Sequence, residues 1–248
     1  MVFAVIVTYV LRGRAGGNIE AVLFSYLPMS VHSAISLALV FLATSAFAAP
    51  DLFEGFGAGW SDRWEEKHLF RKPTSYEVAD EGGRRTLHAV SRAAHGGMFR
   101  RIGLAAPESA WLRWHWKVRQ PIEGNRRERE RAGDDFAARV MVIFEESIVP
   151  LRTRALAYVW AAHEPMGASF PNPYSKNVGM VIVRSGGADA GRWLAESRDL
   201  VADYRAFFGE PPRRIDAVAV LVDTDNTGLE AEAWFAELSL ESTPRDKP

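Results

Sequence analysis

Three groups of residues have side chains and spacing suited to chemistry. The first is Asp223-x-Asp225-Asn226-x-Gly228. Carboxylate and amide oxygens at alternate positions can wrap a calcium ion, and the glycine permits a sharp turn. The spacing begins as an EF-hand loop does, but its twelfth position is Trp234 rather than Glu, and no helical pattern flanks it. The same residues also suit a structural turn, with Asp and Asn side chains accepting from nearby backbone amides. The second group is Asp134-Asp135 with Arg139. In an extended segment Asp135 and Arg139 share a face. An Arg among apolar neighbours needs a partner, because an unpaired buried charge is costly. Asp135, Glu196 and Asp223 are candidate partners; alternatively the guanidinium presents its planar donor fork to a ligand carboxylate or to sugar hydroxyls. The third group is aromatic: Trp160, Phe170 and Tyr174, with His163 and Asn172 between them. Flat rings beside amides suit the C–H faces and hydroxyls of a sugar, although most buried Trp and Tyr are simply core.

Other chemistries have less support. There is no cysteine among the 248 residues, which excludes disulfides, thiolate zinc sites and a thiol nucleophile. The sequence has no Gly-x-Ser-x-Gly elbow, no His-Glu-x-x-His and no phosphate loop. His68, His88, His95, His115 and His163 are scattered without metal-ligand spacing. Glu196 with Asp135 or Asp223 would serve glycoside hydrolysis if the carboxyls faced each other ~5 to 10 Å apart across a cleft. Lys and Arg number 30 against 31 Asp and Glu, so the net charge of -1 argues against general affinity for nucleic acid or an anionic membrane.

The elements that must position these groups read as strands. Trp111–Arg119 alternates strictly, with Leu112, Trp114, Trp116 and Val118 on one face and Arg113, His115, Lys117 and Arg119 on the other. Residues 136–144 are apolar on both faces except at Arg139, as in a central strand. Residues 155–161, 178–184 and 215–222 are β-rich apolar runs. Residues 231–241 place Trp234, Ala236, Leu238 and Leu240 together. Shorter strands are predicted near 76–79, 86–91, 98–102 and 192–197. One helix is predicted over 199–208, closed by Gly209 and stopped by Pro211-Pro212. Pro121–Asp135 interleaves Arg126, Arg127, Arg129 and Arg131 with Glu128 and Glu130, and reads as a long hairpin loop, either solvated and self-compensating or poised for a phosphate or carboxylate. Strands separated by Gly, Pro and Asn predict a mainly β fold: a two-sheet antiparallel, jelly-roll-like sandwich.

Ahead of this pattern, residues 34–48 form an apolar run ending Ala46-Phe47-Ala48, the small-x-small cleavage pattern of a secretory signal peptide, and Met29 would start a signal of ordinary length. An uncleaved membrane anchor is the other reading. Removing residues 1–48 takes away Arg12, Arg14 and Glu20, leaving 28 basic against 30 acidic residues.

Several stretches also fall in an ordered set: Asp134-Asp135-Phe136-Ala137-Ala138-Arg139-Val140, Tyr158-Val159-Trp160, Asn172-Pro173-Tyr174, Val183-Arg184-Ser185-Gly186, Trp193 with Glu196 and Arg198, Asp203-Tyr204-Arg205, Phe208-Gly209-Glu210-Pro211-Pro212, and Asp223-Thr224-Asp225-Asn226-Thr227-Gly228. Over about residues 51–241 this resembles the bacterial domain-of-unknown-function family 3047. Asp199-Leu200 departs from the family's Asn-Val, and the Arg/Glu-rich loop is longer and more charged. The resemblance implies an exported bacterial protein and assigns no catalytic residues.

The combined expectation is a periplasmic or secreted protein with a cleaved segment 1–48 and one β-sandwich domain over 49–248, ending in a short disordered tail. No membrane span should remain after cleavage; the oligomeric state is left open. It should bind a polar small molecule or glycan without catalysis, through Arg139, Trp160, Asn172, Tyr174, Arg184, Glu196 and Arg198, with Asp223, Asp225 and Asn226 forming a calcium site or a rim turn. No other cofactor and no nucleic-acid partner are expected. The rivals are a glycan hydrolase with a carboxylate pair and an envelope protein-interaction module.

Overall fold

The computed structural model describes residues 51–67, 72–105, 107–145 and 153–244. The signal-like N-terminal stretches and the C-terminal tail lie outside the described residues. Among the described residues thirteen strands, numbered along the chain, form two sheets. The first has the order β11 (Leu194–Asp199), β6 (Pro107–Val118), β13 (Glu230–Pro244), β4 (Arg84–Arg92), β3 (Ser75–Glu81), with β1 (Leu52–Glu54) also on β13. The second has the order β2 (Glu65–Lys67), β5 (Gly97–Ala105), β12 (Arg214–Leu221), β7 (Ala138–Glu145), β8 (Arg154–Ala161), β10 (Val178–Ser185), β9 (Ser169–Pro171). The fold is the expected mainly β sandwich.

The alternation in β6 sets the core: Leu112, Trp114, Trp116 and Val118 are all buried. Across the sandwich they meet β8, where Trp116 packs on Trp160 at 5.8 Å and Trp114 on Tyr158 at 5.5 Å. Each such aromatic contributes roughly 1.5–3 kcal/mol by burial. The helix α1 (Leu200–Phe208) forms where the sequence places it. Asp199 caps it by accepting from the Val201 and Ala202 amides, and Gly209 closes it with φ 82°.

Three features depart from the sequence reading. One pair is parallel: the chain leaves β8, passes to the sheet edge as β9, and returns between them as β10, which therefore runs with β8. Next, residues 121–135 are not a hairpin loop, because β6 and β7 belong to different sheets and the segment is a crossover between them. Its charged run is anchored rather than merely solvated: the buried Glu128 carboxylate accepts from the Ala162, His163 and Glu164 amides at 2.6, 3.0 and 2.8 Å. The third departure lies in β13. Its alternation breaks at Glu237 (φ 49°), where a bulge after Ala236 separates inward Ala233 and Phe235 from inward Leu238 and Leu240. Trp234 therefore does not share a face with Leu238. The bulge falls where β13 exchanges β4 for β1 as its neighbour.

The second sheet is apolar on its outer face as well. Ile143, Ala155, Ala217, Ala219 and Leu221 cluster there, and Ala157, Val159, Met180 and Ile182 form a second cluster with Phe136. Met141 and Val178 touch both.

Candidate functional site

On this outer face two cavities share Met141, Ser175 and Val178, one of about 370 Å³ and one of about 320 Å³. Together they form an elongated recess with an apolar floor. The polar groups gather in the larger cavity, delivered by four segments.

The first segment is the turn after β12. Asp223, Asp225 and Asn226 line the cavity. Asp135 holds the turn, accepting from the Asn226 amide and side chain and from the Thr227 amide at 3.3, 3.0 and 2.6 Å. The second is the segment leading into β7, with Asp134 ahead of the strand and Arg139 near its start. Arg139 is almost fully buried; its Nη2 donates to Asp223 Oδ1 and Oδ2 at 3.1 and 3.2 Å and to the Asp134 carbonyl at 3.2 Å. The third is the β9–β10 turn. Asn172 Nδ2 donates to Asp134 Oδ2 at 2.7 Å, and the Tyr174 hydroxyl donates to Asn226 Oδ1 at 2.7 Å. The β9 insertion thus brings Asn172 and Tyr174 against the Asp223 turn. Half of Tyr174 stays exposed, with Arg131 stacked on its ring at 5.2 Å.

The fourth segment is the β4–β5 turn with His95, one of the histidines without metal-ligand spacing in the sequence. His95 Nδ1 lies 3.4 Å from Asp225 Oδ1 and 3.8 Å from Asp223 Oδ2. Paired bonds position this turn: the Thr224 amide donates to the Ala94 carbonyl at 2.9 Å, and the Ser91 and Thr224 hydroxyls share a 2.8 Å bond. The buried Tyr76 hydroxyl donates to the Gly96 carbonyl and accepts from the Val222 amide, and burial pushes its pKa far above the tyrosine range. Gly97 is required here, since a Cβ would come within 2.6 Å of Leu221 Cγ and 2.9 Å of the Val220 carbonyl.

The site's electrostatics follow from burial. Burial pushes the Asp223 carboxyl up to about 7; Arg139 opposes this, while Asp134, Asp135 and Asp225 reinforce it. Asp134 is raised for the same leading reason. Burial alone would lower the pKa of Arg139, but its acidic neighbours outweigh it and hold it above the ordinary value.

The sequence candidates therefore divide. Arg139, Asn172, Tyr174, Asp223, Asp225 and Asn226 converge on one recess. Trp160, Arg184, Glu196 and Arg198 do not line it. Trp160 is buried between the sheets and donates to the Gly186 carbonyl. Arg184 is paired with Glu196, which also accepts from Trp116 Nε1. Arg198 grips Asp203, which accepts from the Tyr158 hydroxyl. In place of Glu196 or Asp135, Arg139 takes Asp223 as its side-chain partner, with Asp134 farther off at 3.5 Å. The side chain of Asn226, offered as a calcium ligand, is committed to Asp135 and Tyr174, and His95 stands beside the two acids instead.

The motif order and the architecture both invite comparison with known families. The profile of the family described as "Protein of unknown function (DUF3047)" matches residues 62–239. The chain belongs to this family. Every residue lining the recess falls within the DUF3047 match. Comparison with curated proteins finds no match. Among solved structures, a family 11 carbohydrate-binding module from Clostridium thermocellum is 10% identical, covering 75% of this chain and 91% of its own, with a TM-score of 0.38. A cellulose-induced protein, Cip1, is 7% identical over 79% and 100%, with a TM-score of 0.47. A family 61 module solved with β-1,4-galactotriose is 6% identical over 79% and 99%, with a TM-score of 0.38. These likenesses concern the β-sandwich only. No helix among the described residues is long and apolar enough to cross a membrane.

Proposed function

We propose that this DUF3047 protein is exported to the bacterial envelope and binds a carbohydrate, without transforming it, in the recess on the outer face of the second sheet. The observation that carries the reading is the composition of that recess. Two adjoining cavities share an apolar floor at Met141 and Val178, and carboxylate, imidazole and amide groups are concentrated at one end. A glycan has this same division between C–H faces and hydroxyls, and pockets of this size with few convergent polar groups are typical ligand sites. The cleavage pattern Ala46-Phe47-Ala48 supports export.

A hydrolase is the second reading, favoured by the raised Asp223 carboxyl beside Asp225. Arg139 argues for binding instead: it holds both oxygens of Asp223, a poor arrangement for an acid that must hand its proton to a leaving group.

Affinity gel electrophoresis against a panel of soluble polysaccharides, with product analysis of the same mixtures, tests both readings. Retention by at least one polysaccharide, lost in Met141→Lys and without released sugar, is the expected result. Retention unchanged in Met141→Lys would move the site elsewhere, and release of sugar that disappears in Asp225→Asn would replace binding with hydrolysis.

A further inference from the structure

We propose that His95, Asp223 and Asp225 form a binding site for a divalent transition-metal ion of the zinc or manganese type, opening into the recess. The three side chains come from two turns more than a hundred residues apart in sequence, and their donor atoms all lie within 4.8 Å of one another. Their spacing fits coordination better than direct pairing. A charge-assisted bond draws nitrogen and oxygen to about 2.7–2.9 Å. His95 Nδ1 stands off at 3.4 and 3.8 Å from the two carboxylates. An ion with bonds of about 2.0–2.2 Å sets its donors roughly 3–3.5 Å apart around itself.

The surroundings favour a cation. Among the described residues lining the larger cavity, Asp134, Asp223 and Asp225 face a single guanidinium, that of Arg139. The low-dielectric wall strengthens this imbalance. The donors are also held from behind, as metal ligands are. Arg139 Nη2 fixes the Asp223 carboxylate, and Asp135 fixes the backbone at Asn226 beside Asp225. On the other side, the His95 amide donates to the Lys72 carbonyl at 2.9 Å. The imidazole nitrogen suits zinc, the two carboxylates also admit manganese, and calcium takes oxygen donors alone. Three protein donors leave coordination positions on the recess side. Resting on the carbohydrate reading, those positions would take a pair of glycan hydroxyls.

The test uses the full chain, untagged and stripped with EDTA, titrated calorimetrically with ZnCl2, MnCl2 and CaCl2. The expected result is one equivalent of zinc or manganese bound, with calcium at least about tenfold weaker. His95→Ala removes a partly exposed side chain and should leave the metal-free unfolding midpoint unchanged while weakening binding by about tenfold or more. No saturable binding of zinc or manganese, preference for calcium, or equal affinity in His95→Ala would each overturn the site. Polysaccharide retention is then compared with metal and with EDTA. Retention that needs the metal supports the bridging role, and equal retention in EDTA overturns it. Metal binding with no retention of any polysaccharide keeps the ion site and sinks the carbohydrate reading.

Discussion

Replacing Arg139 with Met removes the guanidinium while filling much of its volume, and its consequences follow from the geometry. Arg139 is 4% exposed and Asp223 is 3% exposed. Nη2 supplies bonds of 3.1 and 3.2 Å to the Asp223 oxygens and one of 3.2 Å to the Asp134 carbonyl. Without it Asp223 is a buried carboxylate among Asp134, Asp135 and Asp225. Breaking a buried pair by removing one partner costs about 3–5 kcal/mol. The cost should depend on pH, because Asp223 can shed its charge by holding a proton, and losing Arg139 makes it hold that proton more strongly. We therefore expect Arg139→Met to cost about 3–5 kcal/mol at pH 8 and markedly less at pH 5. Arg139→Met/Asp223→Asn should recover a large share, since the stranded charge is gone. Urea unfolding of metal-free protein at both pH values measures the wild type and both variants. A loss under about 1 kcal/mol at pH 8, or a double variant no more stable than Arg139→Met, would show that the pair is not what holds this corner.

Four further outcomes follow from the same geometry. Metal-free wild-type protein should lose stability as pH rises from the ordinary carboxylate value of 3.8 through about 7, because the native state retains a proton on Asp223 that the unfolded chain has lost; thermal melts should show this slope, flattened in Asp223→Asn. Glu128→Ala leaves three amides of residues 162–164 without their acceptor and should cost at least about 2 kcal/mol in urea unfolding. Gly97→Ala forces a methyl group against Leu221 and the Val220 carbonyl and should cost about 1–3 kcal/mol, read from the same titration. Trp160→Phe should lower the melting temperature yet leave polysaccharide retention unchanged, whereas Tyr174→Ala should weaken retention with little change in melting. The reverse pattern would place the ligand elsewhere.

The sandwich was readable because its strongest signal is local. Alternation in residues 111–119 names the buried face of β6 without any knowledge of its partners. Arg139 was readable as a residue in need of an acid, since a guanidinium in an apolar strand allows few alternatives, but which acid depended on strand pairing. Trp160 was not readable as core: residues 155–161 are apolar on both faces, so period two assigns them no inside. The β13 phase break was hidden because a bulge at Glu237 leaves an ordinary run of apolar residues on either side. His95 carried no signal at all, as its acidic neighbours lie more than a hundred residues along the chain and the bonds of Thr224 to Ala94 and Ser91 unite them in the folded protein.

The chain's detour to the sheet edge has a consequence for how the recess behaves over time. β9 is three residues long and, among the described residues, pairs along its backbone with β10 alone. Short edge segments open at a fraction of the global unfolding free energy. Amides around 169–177, in the wall bearing Asn172 and Tyr174, should then exchange with solvent sooner than those of β7 or β12. A ligand held there would be visible first as slowed deuterium uptake in that short stretch, before any change in the melting of the whole protein.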